Sequence, residues 1–164
     1  MTVDLPRSEG CFLCGFANPH GLNVQMRIEN KGTADEAVVA DFTPTEHHQG
    51  YRGIMHGGIS ATLLDEVMGW APAYRRRRLC MAVQLSFRYI KPVPVGTCLK
   101  ISGRVVDDTR KLWTVKGVIE DGDGTVYVKA EGKFFPLSED QSRQADEVEL
   151  VYEPGQERIF SQEG

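Results

Sequence analysis

Long apolar runs are missing from this chain of 164 residues. No stretch approaches the ~18 consecutive apolar residues that a membrane helix needs, so no membrane span is expected. A basic excess is missing as well. Lys and Arg number 19 against 23 Asp and Glu, a net charge of −4, which offers no basic face to nucleic acid. The opening Met1-Thr2-Val3-Asp4-Leu5-Pro6 has neither a charged n-region nor an apolar core, and no signal peptide is read there. Cysteine is scarce, at four residues. Without secretory context, these are expected as thiols in a reducing, cytoplasmic setting. Internal repeats and low-complexity segments are absent too.

What is present suits one globular domain. The hydrophobic share of 41% is enough for an ordinary core, and the length fits a single domain. Charge is unevenly spread: residues 137–164 carry −6 and residues 1–136 carry +2. That acidic tail is expected to be solvated or loosely docked, with Val148, Leu150, Val151 and Tyr152 as its anchors. The chain therefore divides into an N-terminal lid or loop segment (1–22), a central domain (23–136) and the tail (137–164).

The central domain is organised around Gly53 to Trp70, where a glycine-rich turn enters a helix of about four turns. Leu63, Leu64, Val67, Met68 and Ala71 recur at helical spacing and form one apolar stripe. Gly58, Thr62 and Gly69 fall on the other side, and Asp65 lies on the edge between the faces. Pro72 and the run Arg75 to Arg78 mark the expected end of the helix. Elsewhere, alternation predicts strands at Val24–Ile28, Val38–Phe42, Val83–Tyr89, Leu99–Val105, Leu112–Ile119 and Thr125–Phe135. Asp121-Gly122-Asp123-Gly124 is a hairpin signal between the last two. Short links require antiparallel neighbours. The fold class is therefore α+β, one long central helix wrapped by an antiparallel sheet.

His56-Gly57-Gly58, with Asp65 nine residues after the histidine, and Phe87-Arg88-Tyr89-Ile90-Lys91-Pro92-Val93-Pro94-Val95-Gly96 further on, resemble the hotdog-fold acyl-CoA thioesterases of the phenylacetate-pathway (PaaI-like) type. The resemblance covers roughly residues 11 to 136. Cys11-Phe12-Leu13-Cys14-Gly15 and Asn18-Pro19-His20-Gly21-Leu22 look like the start of many uncharacterised members. It implies a hotdog fold, an acyl-CoA substrate, and dimers whose sheets pair edge to edge. It also implies that Gln49, or else His48, orients the nucleophile. Relatives often carry Ser or Thr at the start of the strand after the helix, where this chain has Ala82.

The chemistry can be argued from the residues. Thioester hydrolysis needs a base or nucleophile and a donor for the developing oxyanion, while the thiolate leaving group needs little acid help. Unpaired N–H groups at a helix N-terminus make Gly57 the candidate oxyanion donor, and glycine lets the carbonyl approach. Asp65 either activates water or attacks directly, and an apolar setting would strengthen it as a base. Eight residues at 1.5 Å each place Asp65 roughly 12 Å along the helix from Gly57. The two cannot serve one carbonyl from one helix, so the expected enzyme is a homodimer, or a tetramer built as a dimer of dimers, with sites shared between protomers.

Around that pair, His56 is read as fixing the loop and Glu66 as a structural partner. The resemblance implies that Gly58, Pro92 and Val93 line the substrate groove. Arg75 and Arg76, with Arg88 or Lys91, are candidate contacts for the phosphates of coenzyme A. Cys11-x-x-Cys14 lacks a second knuckle: Cys80 and Cys98 are isolated and His20 is only a possible third ligand. The expectation is no metal and no cofactor. The function that follows is acyl-CoA thioester hydrolysis. A hotdog enoyl-CoA hydratase and a non-catalytic acyl-CoA-binding domain are the alternatives. The acyl group, and CoA against a carrier protein, stay open.

Overall fold

The computed structural model describes residues 2–160. Strands β1 (Val3–Asp4), β2 (Arg7–Ser8), β3 (Met26–Glu29) and β4 (Ala37–Phe42) precede the helix α1 (Gly57–Arg76). Strands β5 (Cys80–Tyr89), β6 (Leu99–Asp107), β7 (Trp113–Asp121) and β8 (Val126–Pro136) follow, and then α2 (Glu139–Val148) and β9 (Leu150–Val151). Seven strands form one sheet in the order β1-β3-β4-β6-β7-β8-β5, while β2 pairs with β9. All the pairings are antiparallel, as the short links require.

The sheet curls around α1. Leu63, Leu64, Val67 and Met68 are completely buried at 0% exposure, so the apolar stripe of the sequence is the core face of the helix. Room for the helix comes from glycines in the strands beneath it. Gly103 on β6 stands opposite Gly117 on β7. A Cβ on Gly103 would come within 2.8 Å of the Val67 carbonyl oxygen, and one on Gly117 within 2.6 Å of Met68 Sδ. Glycine at these positions makes the trough in which α1 lies.

Helix α1 runs 20 residues, longer than the sequence suggested, because Pro72 does not end it. A proline inside a helix removes one hydrogen bond and costs about 3 kcal/mol. Here Ala71, Pro72, Ala73 and Tyr74 are all buried, so tertiary packing offsets that loss. The helix stops at Arg77, whose left-handed backbone (φ 52°) caps it. The β7–β8 turn is as expected: Asp121 Oδ1 accepts from the N–H groups of Asp123 (3.0 Å) and Thr125 (2.9 Å), and Gly124 supplies a φ of 80°.

The terminal segments are tied to the central domain. Leu5, Leu13 and Cys14 are buried in the core, and β1 extends the main sheet through β3. The acidic tail was expected to be loose, yet it folds. Ser138 and Gln141 form a capping box at the start of α2, and β9 seals against β2. Val148, one expected anchor, is 78% exposed. Leu150 and Tyr152 do pack against the core, and Ile159 and Phe160, each 3% exposed, anchor the tail further, with the Phe160 ring 6.0 Å from that of Trp70. Residues 161–164, including the acidic Glu163, lie outside the described part. Among the described residues no helix is long and apolar enough to cross a membrane.

Candidate active site

The N-terminus of α1 separates the two glycines chemically. His56 is the N-cap, and its Nδ1 accepts the Gly58 N–H at 2.8 Å. The His56 carbonyl oxygen accepts from Ile59 N–H at 2.9 Å. Among the described residues Gly57 N–H makes no hydrogen bond. It therefore remains an unspent donor at the positive end of the helix dipole. The carbonyl oxygen of Gly57 is held by the Tyr89 hydroxyl, which donates at 2.9 Å. A Cβ on Gly57 would stand 3.3 Å from the Tyr89 ring, so glycine also lets that ring close in. Sequence reasoning gave Tyr89 no part in the site, although it lies in the Phe87–Gly96 motif; its contact with Gly57 appears only in the fold.

A cavity of about 320 Å³ opens here, lined by Gly57, Ser60, Tyr89, Lys91, Pro92 and Val93 among others. Pro92 and Val93 are thus brought to Gly57, with the Met55 N–H donating to the Val93 carbonyl oxygen at 2.9 Å. Gly58 is exposed beside them.

Asp65 lies in a different cavity. Its neighbours there include Gly69, Trp70, Cys80, Met81, Ala82 and Phe134, around about 460 Å³. Ala145, Glu149 and Leu150 from the folded tail complete the wall. Asp65 stands at the rim, and partial burial of its carboxylate pushes its pKa above the usual aspartate value. Cys80 beside it is pushed up to about 12, by burial and then by the Asp65 charge.

Other expected site residues stand apart from both. Gln49 spends its side-chain oxygen on the Gly53 N–H (3.0 Å). His48 Nδ1 accepts from Thr45 N–H at 2.9 Å, so both residues brace the loop before α1. Arg76 Nε lies 2.7 Å and Arg75 Nε 3.4 Å from Asp108 Oδ2. These ion pairs occupy both arginines at the far end of the helix, roughly 28 Å from Gly57 at 1.5 Å per residue. Arg88 is exposed on β5.

Glu66 does have a structural partner, the Trp70 indole N–H at 3.2 Å. It also meets the Cys11-x-x-Cys14 loop, which the sequence could not foresee across some fifty residues. The ligand atoms of Cys11, Cys14 and Glu66 lie within 4.8 Å of one another; His20 is not in the group. Burial, and next the Cys11 charge, push Glu66 to about 7. The hydrogen bond between the two thiols holds Cys11 down at about 5 and drives Cys14 up.

A single long helix clasped by one curled antiparallel sheet is the hotdog fold. Residues 52–128 match the model of the thioesterase superfamily. A solved thioesterase-superfamily protein is 33% identical and superposes with a TM-score of 0.70 over 77% of this chain and 60% of its own. A Streptococcus mutans protein solved bound to acetyl-CoA is 25% identical, with a TM-score of 0.57 over 62% of this chain and 82% of its own. The acyl-coenzyme A thioesterase THEM4 of Xenopus laevis is 29% identical over 108 residues, 63% of this chain and 47% of that protein. The chain thus spans about half the length of several curated relatives it matches.

Proposed function

We propose that this chain hydrolyses acyl-CoA thioesters in a homodimer, each site pairing Gly57 N–H of one protomer with Asp65 of the other. One observation carries the reading: the two cavities flank opposite ends of β5. Tyr89 lines the Gly57 cavity, and Cys80 to Ala82 line the Asp65 cavity. β5 is also an edge strand of ten residues. It exposes Met81 (61%), Val83 (55%) and Tyr89 (53%), an apolar edge that asks for a partner. Self-pairing of β5 about a two-fold axis runs one copy antiparallel to the other. The Tyr89 end of each then abuts the Cys80 end of its mate, and each Gly57 cavity merges with the other protomer's Asp65 cavity.

In the merged site the thioester carbonyl oxygen points at Gly57 N–H, where negative charge developing on it is stabilised. Asp65, made more basic by its partly dry wall, attacks the carbonyl carbon or takes a proton from the attacking water. The carbon–sulfur bond breaks, and coenzyme A leaves as a thiolate that takes up a proton; where Asp65 has attacked, water then cleaves the acyl–Asp65 anhydride, releasing the acid and restoring the carboxylate. Lys91, Pro92 and Val93 at the mouth of the cleft suit the pantetheine arm. The apolar walls given by Trp70, Met81 and Phe134 suit the acyl group. A hydratase would need His56 beside Asp65. In this chain His56 Nδ1 is instead committed to the helix cap, where it accepts the Gly58 N–H at 2.8 Å.

The test is thiol release from a panel of acyl-CoA esters, followed with a chromogenic disulfide, on wild type and Asp65→Asn, with sedimentation equilibrium on both. Asp65→Asn should lose about 10²–10⁴-fold in turnover while remaining dimeric. An active monomer, or full turnover in the variant, overturns the reading. Binding of acyl-CoA without release would make this a non-catalytic domain.

A further inference from the structure

Cys11, Cys14 and Glu66 have no part in the thioester chemistry, yet they bring two sulfurs and a carboxylate oxygen within 4.8 Å of one another. We propose that they bind a Zn²⁺ ion, which clips the N-terminal segment onto α1 one residue from Asp65.

The spacing suits the ion. Tetrahedral zinc with Zn–S of about 2.3 Å and Zn–O of about 2.0–2.2 Å sets its ligand atoms roughly 3.5–3.8 Å apart. Small side-chain adjustments bring the three groups to that distance. The loop is already drawn into a knuckle: Cys14 N–H approaches Cys11 Sγ at 3.5 Å, and Gly15 N–H donates to the Cys11 carbonyl oxygen at 2.9 Å. Only glycine allows this, since a Cβ at position 15 would lie 2.3 Å from that same carbonyl oxygen.

The carboxylate is equally prepared. Trp70 N–H at 3.2 Å fixes the orientation of Glu66, the kind of outer hydrogen bond that ligating carboxylates carry. Among the described residues no Lys, Arg or His pairs with Glu66, so the protein supplies no other cation for this inward-facing acid. Two thiolates disfavour Ca²⁺ and Mg²⁺, and the carboxylate disfavours Cu⁺, which leaves zinc as the suited ion. Three protein ligands leave the fourth tetrahedral position to water. A Cys11–Cys14 disulfide would not use the Glu66 carboxylate and needs an oxidant from outside.

The 164-residue chain is equilibrated with Zn²⁺, dialysed, and its metal content measured, and Co²⁺ is used as a spectroscopic substitute. The expected results are stoichiometric zinc and a thiolate-to-cobalt charge-transfer band. Cys14→Ser abolishes both. Trp70→Phe keeps all three ligands and weakens affinity by about 10–100-fold. Should Cys14→Ser fail to fold, titration of wild type with a mercurial settles the matter, since zinc must be released as Cys11 and Cys14 are blocked. No bound zinc, zinc kept after both thiols are blocked, or a mass showing an intramolecular disulfide overturns the proposal. Metal content is read without substrate, so this result and the thioesterase result stand or fall separately.

Discussion

Gly103→Ala puts a methyl group between β6 and α1 where only backbone is available to yield. The new carbon would sit 2.8 Å from the Val67 carbonyl oxygen, 3.0 Å from Met68 Cα and 3.1 Å from Met68 N. No rotamer change relieves these contacts. The helix must lift by roughly 0.7 Å to restore ordinary separations of about 3.5 Å, and the packing of Leu63, Leu64, Val67 and Met68 loosens with it. Overpacking of this kind costs about 1–3 kcal/mol. The loss of glycine's freedom in the unfolded chain returns about 0.4–1 kcal/mol. The net destabilisation is then about 1–2 kcal/mol, or a Tm lower by roughly 2–8 °C at this chain length. Thermal unfolding followed by circular dichroism measures it. Gly122→Ala, whose Cβ meets nothing within 4 Å, is the control. Gly117→Ala should fall between the two, because its nearest atoms, Met68 Sδ and Leu64 Cδ2, end flexible side chains. Equal Tm values for Gly103→Ala and Gly122→Ala would refute the idea that the helix rests on a glycine trough.

Three further outcomes are expected. Phe160→Ala should destabilise by about 3 kcal/mol in urea unfolding, since the ring is 3% exposed; a change below about 0.5 kcal/mol would mean the tail does not dock. Tyr89→Phe removes the hydroxyl that holds the Gly57 carbonyl oxygen. It should cost about 1 kcal/mol, or about 5-fold in kcat, with KM nearly unchanged; an unaltered kcat denies Tyr89 its positioning role. The acid limb of the kcat/KM profile should lie above the ordinary aspartate range, because Asp65 must be ionised and its pKa is raised. In stability terms, a raised folded-state pKa means the native state holds the proton more tightly. Stability contributed by Asp65 is therefore present at low pH and declines as pH rises through the folded value, and Asp65→Asn should flatten that decline. A limb at or below the free-aspartate value contradicts this.

Much of the architecture was legible in the chain because its signals are local. The stripe from Leu63 to Ala71, the alternation of β6 to β8 and the Asp121–Gly124 turn each depend on residues close in sequence. Periodicity and turn chemistry therefore identify them without the fold. That Gly57 and Asp65 stand apart was legible for the same reason: a rise per residue fixes their separation along the helix, and they line different cavities.

Tertiary structure decided what depends on distant partners. Pro72 reads as a stop signal, but burial of its neighbours outweighs the lost hydrogen bond and α1 runs on to Arg76. The ion pairs of Arg75 and Arg76 with Asp108, just after β6, and the bond from Gly53 N–H to the Gln49 side-chain oxygen cannot be read from local pattern. The acidic tail reads as solvated because its further anchors, Ile159 and Phe160, are too few to mark an element until Trp70 receives them. Glu66 meets Cys11 and Cys14 only because the N-terminal segment folds back onto the helix. Local pattern is set by the backbone's own periods, whereas the partner of a charge or thiol is set by which distant surfaces the core brings together.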